Sequence, residues 1–355
     1  MAVTIKDVAR EANVSVATVS RALNGHENVA EPVRQRIVAV ANALRYSPHH
    51  AARSLSSRRT HTIGVVLPEL HGEFFSELVR GIDQVARERG LLLLVSSYHG
   101  DVVEQGAALR AMRGRVDGLL VMSPFVDGGA ALEELLPPAQ PVVLINAPHP
   151  AAGHAAIGVD NHGGAAAMTR HLVAGGHRRI AFIAGPPGNF DARERLRGYR
   201  DALAEALPDA RPWVVEGDFG EASGHAAGDR LLAADPRPDA VFAANDMMAV
   251  GCLYAFSQAG VRVPQDIALA GFDDVPLARY VNPALTTMRV DIAELGARAL
   301  RALLEQEQGH TEAAIRLTPG LVVRDSCATQ PHDTAAPRPA PRRGKTTKAL
   351  GGEPR

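Results

Sequence analysis

The stretch that most constrains this chain is its first. It reads Thr4-Ile5-Lys6-Asp7-Val8-Ala9-Arg10-Glu11-Ala12-Asn13, then Val14-Ser15-Val16-Ala17-Thr18-Val19-Ser20-Arg21-Ala22-Leu23-Asn24. Thr4 with Asp7 three residues on has the form of a capping box, and Val8, Ala9 and Ala12 then share one apolar stripe. Asn13 suits a left-handed turn position, where a branched side chain is strained. Ser15 can cap a second helix over 16–23, which Asn24-Gly25 can end. Two short helices joined by so tight a turn form the helix-turn-helix that enters the DNA major groove. An ordinary helical hairpin inside a larger domain is the competing reading.

A third helix is expected over about 31–45, with Pro32 tolerated in its first turn. Val33, Ile37, Val40, Ala41 and Leu44 recur at helical spacing and can close a small core with Val8, Val19 and Leu23. Arg34, Arg36 and Arg45 lie off that stripe, and phosphate contact and a solvated face are equally good readings for them. Residues 1–60 hold nine Lys/Arg against four Asp/Glu, 61–327 hold 23 against 33, and 328–355 hold six against two. A basic head on an acidic body suits a chain that meets phosphate with one end.

From Thr62 the pattern changes. Apolar runs at 63–67, 91–95, 119–122 and 142–145 alternate with helical stretches near 75–89, 102–113 and 130–136. The alternation restarts with runs at 180–184, 213–215, 240–243 and 267–271. Helical stretches lie near 163–174, 192–206, 221–234, 247–260 and 292–308. Continuously apolar strands alternating with helices mean a parallel sheet covered on both faces. The expected class is therefore α/β: an all-α helix-turn-helix domain plus a body of two doubly wound parallel-sheet lobes, the second beginning near Asn161. A body of two such lobes binds small molecules between them.

Other classes find little support. Cys252 and Cys327 lie far apart and in no metal-ligand spacing, which fits a reducing compartment without a disulfide framework. No apolar run reaches the length of a membrane span. An acid and a base interrupt the start before any apolar core, so no signal peptide is expected and the location is read as cytoplasmic. Phosphate-binding, dinucleotide-binding, serine-hydrolase and zinc-protease motifs are all missing, so no enzyme and no cofactor are expected.

Thr4-Ile5-Lys6-Asp7-Val8-Ala9, followed by Val14-Ser15-Val16-Ala17-Thr18-Val19-Ser20-Arg21, closely resembles the amino-terminal signature of the lac repressor/galactose repressor family of bacterial transcription regulators. The resemblance implies a helix-turn-helix domain over 1–46 and a hinge helix and linker over 47–61. It implies an effector-binding and dimerisation body over 62–327 that is similar to periplasmic sugar-binding proteins. Lobe 1 would take about 62–160 plus 290–318, and lobe 2 about 161–289 plus 320–327. The hinge matches the family pattern at Tyr46, Pro48, Ala52 and Leu55. By that resemblance Leu55 is the minor-groove wedge that kinks the duplex. Two departures stand out: Ala30 replaces the usual capping Ser or Thr, and Ser56 the Lys often found after the wedge. The Pro- and Arg-rich tail, 328–355, reads as disordered and lacks the leucine repeats of a tetramerising segment.

DNA reading falls to the second helix. Val16 and Ala17 offer apolar contact suited to a thymine methyl, and Arg21 can take guanine or phosphate. Ser15, Thr18 and Asn24 suit phosphate oxygens. With Ala52 and Leu55 they complete the expected DNA-binding set. For the effector, the resemblance implies that Arg195, Asn245 and Asp273 hydrogen-bond it while Phe74 and Phe219 pack on its apolar face. Asp191 and Asn146 are weaker candidates. Asp246 reads as a helix cap, Asp274 as either cap or ligand, and Phe75 as core; His71, His149 and His162 receive no role.

The expected function is a homodimeric, DNA-binding transcription regulator: a repressor of a carbohydrate-utilisation operon, released from a palindromic double-stranded operator by a small sugar. A nucleoside or purine corepressor on the same architecture is the alternative. A sugar-binding transport protein is the alternative from another class.

Overall fold

Three helices build the head: α1 (Ile5–Glu11), α2 (Val16–Leu23) and α3 (Glu31–Ala43). The computed structural model describes residues 3–23, 28–46, 59–125, 129–137, 140–148, 154–306 and 314–327. Asn24, the hinge positions 47–58 with Ala52 and Leu55, and the tail from 328 lie outside the described residues.

Local chemistry fixes the head. The Asp7 carboxylate accepts from the Thr4 N–H at 3.0 Å and from the Thr4 hydroxyl at 2.7 Å. Asn13 takes the left-handed turn position at φ 51°, and Ser15 Oγ accepts from the Thr18 N–H at 3.1 Å to start α2. Ala30 stands before α3 with no side-chain cap. Val8, Val19 and Ile37 are fully buried at the centre, with Leu23, Val33, Val40 and Leu44 packed around them. Arg34 departs from both readings offered for it. Its Nη1 donates to the Ala22 carbonyl at 3.0 Å, so it satisfies an acceptor at the end of α2 that the helix itself leaves open.

Beyond the head the chain runs β1 (Thr62–Leu67), α4 (Glu73–Glu88), β2 (Leu92–Ser97), α5 (Val102–Met112), β3 (Gly118–Met122), α6 (Gly129–Leu135), β4 (Val142–Ile145) and β5 (Ala155–Val159). It continues through α7 (Asn161–Ala174), β6 (Ile180–Ala184), α8 (Phe190–Ala206), β7 (Trp213–Glu216), α9 (Glu221–Leu232), β8 (Ala240–Ala243), α10 (Asp246–Gln258) and β9 (Ala268–Asp273). A 3₁₀ turn (Pro276–Arg279), β10 (Thr286–Arg289), α11 (Ile292–Gln306), β11 (Ala314–Leu317) and β12 (Gly320–Val322) complete it.

Two compact units divide this sequence. One takes Met1–Val159 with Ile292–Leu317, the other Asp160–Asp291 with Thr318–Arg355. Each contains one six-stranded sheet, ordered β11-β5-β4-β3-β1-β2 in the first and β12-β10-β9-β8-β6-β7 in the second. We call the sheet-containing part of the first unit lobe 1 and the second unit lobe 2. Central strands such as β3, β4, β6 and β8 are buried along their whole length, as helices on both faces require. In lobe 1, α4 and α11 pack so closely that a Cβ on Gly81 would lie 1.8 Å from the Ala293 carbonyl oxygen. Only glycine fits there.

Both lobes have the expected parallel sheet. At one edge of lobe 2 a short strand is added in the other direction: β12 pairs antiparallel with β10, Arg289 facing Gly320 and Thr287 facing Val322. The connections explain the reversal. β10 leads out of this unit at its carboxyl end and β12 leads back in beside it, so the two must run in opposite directions.

Candidate DNA-reading helix and effector site

In the head the candidate DNA contacts lie on the outside. Val16 is 41% exposed, and Ser15, Ala17 and Arg21 are exposed as well. Thr18 is half-buried, and its hydroxyl lies 2.8 Å from that of Ser15. Val19 and Ala22, on the opposite face of α2, are buried. The helix thus turns Val16, Ala17 and Arg21 outward and packs Val19 and Ala22 into the core, as a groove-reading helix requires.

The second constellation is built within lobe 2, at the carboxyl ends of its strands. From β6 the chain passes outward to β7, then back across β6 to β8. That reversal makes β6/β8 a topological switch point, where an open α/β sheet leaves a crevice for ligands. The loop after β6 leads into α8, which carries Asp191 and Arg195. Asn245 follows β8, and Asp273 ends β9.

Arg195 is the hub, only 4% exposed. Its Nη1 donates to the Ala244 carbonyl at 2.6 Å and its Nε to Asn161 Oδ1 at 2.8 Å. Its Nη2 lies 3.0 Å from Asp273 Oδ1, and its guanidinium stacks 3.9 Å from the centre of the Phe272 ring. Asn161 in turn donates from Nδ2 to Asp191 Oδ1 at 2.8 Å. Acid, amide and guanidinium thereby form one buried chain, the arrangement that makes buried charge tolerable.

Asp273 is 4% exposed with φ 111°, a conformation costing an L-residue about 1–3 kcal/mol. Its Oδ1 touches Arg195 as an ion pair but off the line of a hydrogen bond, so the atom is buried with no hydrogen-bond donor. Burial pushes its pKa up from the usual carboxylate range to about 6, against the opposing charge of Arg195. Asn245 is the N-cap of α10: its Oδ1 accepts from the Met248 N–H at 3.0 Å and its Nδ2 donates to the Phe219 carbonyl at 2.9 Å. Phe219 is half-buried at φ 76°, its ring 6.0 Å from the Arg195 guanidinium.

Arg195, Asp273, Asp191, Asn245 and Phe219 therefore share one neighbourhood in lobe 2. Phe74 belongs to lobe 1, half-buried in the first turn of α4. Phe75 is not core as expected: it too is half-buried and meets Phe74 edge-on at 5.5 Å. Asn146 is buried at φ 50° after β4. Asp246 is not the cap, since Asn245 holds that position. Its enclosed carboxylate accepts instead from the Val275 N–H at 2.9 Å and the Thr287 hydroxyl at 2.6 Å. Asp274 is structural, its carboxylate fully enclosed among Arg289, Arg324 and Arg279. Sequence reading missed Asn161 and Phe272. Asn161 stands beside Asp160, whose own carboxylate caps α7 through the Gly163 N–H, so it read as part of a helix start.

A groove-reading head joined to a body of two α/β lobes, one with a buried polar cluster at its switch point, defines a ligand-responsive transcription regulator. Residues 4–49 match the model for bacterial regulatory proteins of the lacI family, and residues 169–327 that for a periplasmic binding protein-like domain. The chain is 39% identical to the ribose operon repressor of Escherichia coli strain K12, over 91% of this chain and 99% of that one. It is 35% identical to the transcriptional repressor PurR of Photobacterium profundum, over 91% and 98% respectively. The crystal structure of the lac repressor dimer bound to operator and the anti-inducer ONPF superposes with a TM-score of 0.85 at 30% identity, covering 93% of this chain and all of that one. The chain belongs to the lacI family. It is a DNA-binding transcriptional repressor whose action is regulated by an effector, and not an enzyme.

Proposed function

We propose that this repressor binds an approximately palindromic operator as a homodimer in the cytoplasm and that a small sugar releases it. Ser15, Val16, Ala17, Thr18, Arg21 and Asn24 contact DNA in this reading. The hinge over 47–61 contributes Ala52 and Leu55, on the strength of the sequence pattern alone. Arg195, Asp273, Asn245 and Asp191 hold the effector, with Phe219 against its apolar face; Phe74 is added on the strength of the sequence resemblance alone.

The observation that carries the effector class is Asp273 Oδ1, a buried charged acceptor that lacks a donor beside a guanidinium. A sugar hydroxyl supplies that donor, and a hydrogen bond to a charged group contributes roughly 1.5–3 kcal/mol. Solved relatives with sugars point the same way: a CelR–cellobiose complex at 32% identity, and an Enterococcus faecium lacI-family regulator with bound ribose at 25%. A purine corepressor is the second reading. It is favoured by the Phe219 ring, on which a flat base can stack, and by the likeness to PurR.

A thermal-shift screen decides between them, because a native-state ligand at about 1,000 times its Kd adds roughly 4 kcal/mol. D-ribose, D-galactose, cellobiose, hypoxanthine and guanine are the probes. A sugar that raises Tm and weakens binding to an operator fragment at fixed salt supports the first reading. A shift with a purine alone, tightening operator binding, replaces it with the second.

A further inference from the structure

Asp273 and Asp274 are consecutive residues with φ 111° and 57°, and their carboxylates go to different arginines. Asp273 pairs with Arg195 in the candidate effector site. Asp274 accepts from Arg289 Nε at 2.6 Å and from Arg324 Nη2 at 2.5 Å, with Arg279 Nη2 at 3.7 Å. Arg289 ends β10, two residues before the chain leaves this unit at Asp291, and Arg324 lies just beyond β12, on the segment that re-enters at Thr318. The Asp274 carboxylate therefore holds two of the three connecting segments at once, the third being the crossing at Val159–Asp160.

The backbone between these two carboxylates has little room to absorb movement. Two successive non-glycine residues in the left-handed half of φ space have few alternative conformations. The next amide, Val275 N–H, is bonded to buried Asp246, which also holds Thr287 of β10. Gly271 permits this closeness, since a Cβ there would lie 2.2 Å from Asp246 Oδ1. On the far side, Val290 N–H donates to the Asp273 carbonyl at 3.1 Å. Arg324 is tied to β10 a second time, its N–H donating to Thr286 Oγ1 at 2.9 Å. Parting Asp274 from Arg324, the well-buried member of its arginine partners, is costly, whereas Arg289 is half-exposed and its charge is screened more by water; the Asp274–Arg324 pair therefore moves as one.

We infer that Asp274 is a positioning residue for the effector response: it passes a displacement at the Arg195–Asp273 pair to β10 and β12, which lead into two of the three segments that join lobe 2 to the rest of the body. This deepens the effector reading and rests on it for its biological meaning, but the mechanical link is testable without any effector. Amide hydrogen exchange, read by mass spectrometry on the ligand-free full-length protein, is the measurement. The reporting segment is 320–327, where the Arg324 and Ser326 amides are bonded across to Thr286 and Ala284, and no hydrogen bond or ion pair of Arg195 reaches it.

Arg195→Lys is expected to raise exchange in 320–327 several-fold. Asp274→Asn alone raises it too, and adding Arg195→Lys to Asp274→Asn should then bring no further increase. The idea is overturned if Arg195→Lys leaves 320–327 at the wild-type rate, or adds the same increment with and without Asp274. Asp273→Asn and Arg324→Lys repeat the test from either end should a first variant fail to fold. A thermal-shift screen in which no sugar binds would defeat the sugar reading and leave the exchange result standing.

Discussion

The two candidate sites are held in opposite ways. In the head, Val16, Ala17 and Arg21 face outward while Val8, Val19 and Ile37 carry the core. In lobe 2, Arg195, Asp191 and Asp273 are themselves buried and paired. A surface that reads DNA can be rewritten without disturbing what supports it. A pocket made from buried charge cannot, because each polar group is also a partner that its neighbours need. Specificity for DNA should therefore change cheaply among relatives, and specificity for effector only together with compensating substitutions.

The largest expected effect comes from Arg195→Ala. It strands Asp273 and leaves the Ala244 carbonyl and Asn161 Oδ1 without their donor, and breaking a buried pair costs about 3–5 kcal/mol. Calorimetry should show lobe 2 melting earlier while the head transition stays put. A loss below about 1 kcal/mol, the scale of an exposed pair, would erase the contrast between the two sites. Operator affinity in the folded, effector-free variant should stay near wild type, and its loss would make Arg195 a support for the head as well.

Next comes pH. The folded-state pKa of Asp273, about 6, lies above its unfolded value, so between the two the folded state binds more protons. The stability this group contributes is full below about pH 4 and is lost as pH rises through about 6, on the order of 3 kcal/mol in all. Asp273→Asn removes that slope. Stability profiles of wild type and variant that run parallel from pH 4 to 7 would contradict the assignment.

Smaller effects belong to the head. Ser15→Ala removes the cap of α2 and should cost about 1 kcal/mol, whereas Ala30→Ser supplies one to α3 and should gain about 0.5–1 kcal/mol; thermal melts of the full chain measure both. Exchanging Val16 and Ala17 should change stability by less than about 0.5 kcal/mol and yet alter which operator a randomised pool yields. An unchanged consensus would remove the reading role from these two residues.

The head was largely legible in the sequence, since its capping and turn are local: Asp7 reaches back to Thr4, Asn13 turns left-handed and Ser15 caps α2. The continuously apolar strands such as β3, β4, β6 and β8 were legible too, because burial on both faces leaves an unbroken run. β5, β10, β11 and β12 were not, because polar or glycine positions leave only short apolar runs in each. β11 and β12 are also edge strands, whose partners lie more than thirty residues away in sequence for β12 and more than 150 for β11. In lobe 2 the residue types of the site were legible but their pairing was not. Nothing local tells Arg195 to reach Ala244 and Asn161, or tells Asp246 to turn inward and leave the cap to Asn245.

The interleaving of the two units sets an order of events during synthesis. Lobe 1 needs α11 and β11, so it cannot be complete when residue 159 leaves the ribosome; it must wait until 317 has emerged. At roughly 5–20 residues per second that wait is on the order of ten seconds. Throughout it the first sheet stands without β11 beside β5, and α4 without the helix that covers Gly81. A nascent chain stalled inside lobe 2 therefore presents a finished head on an unfinished body, open to chaperones and proteases at one apolar helix face and one strand edge.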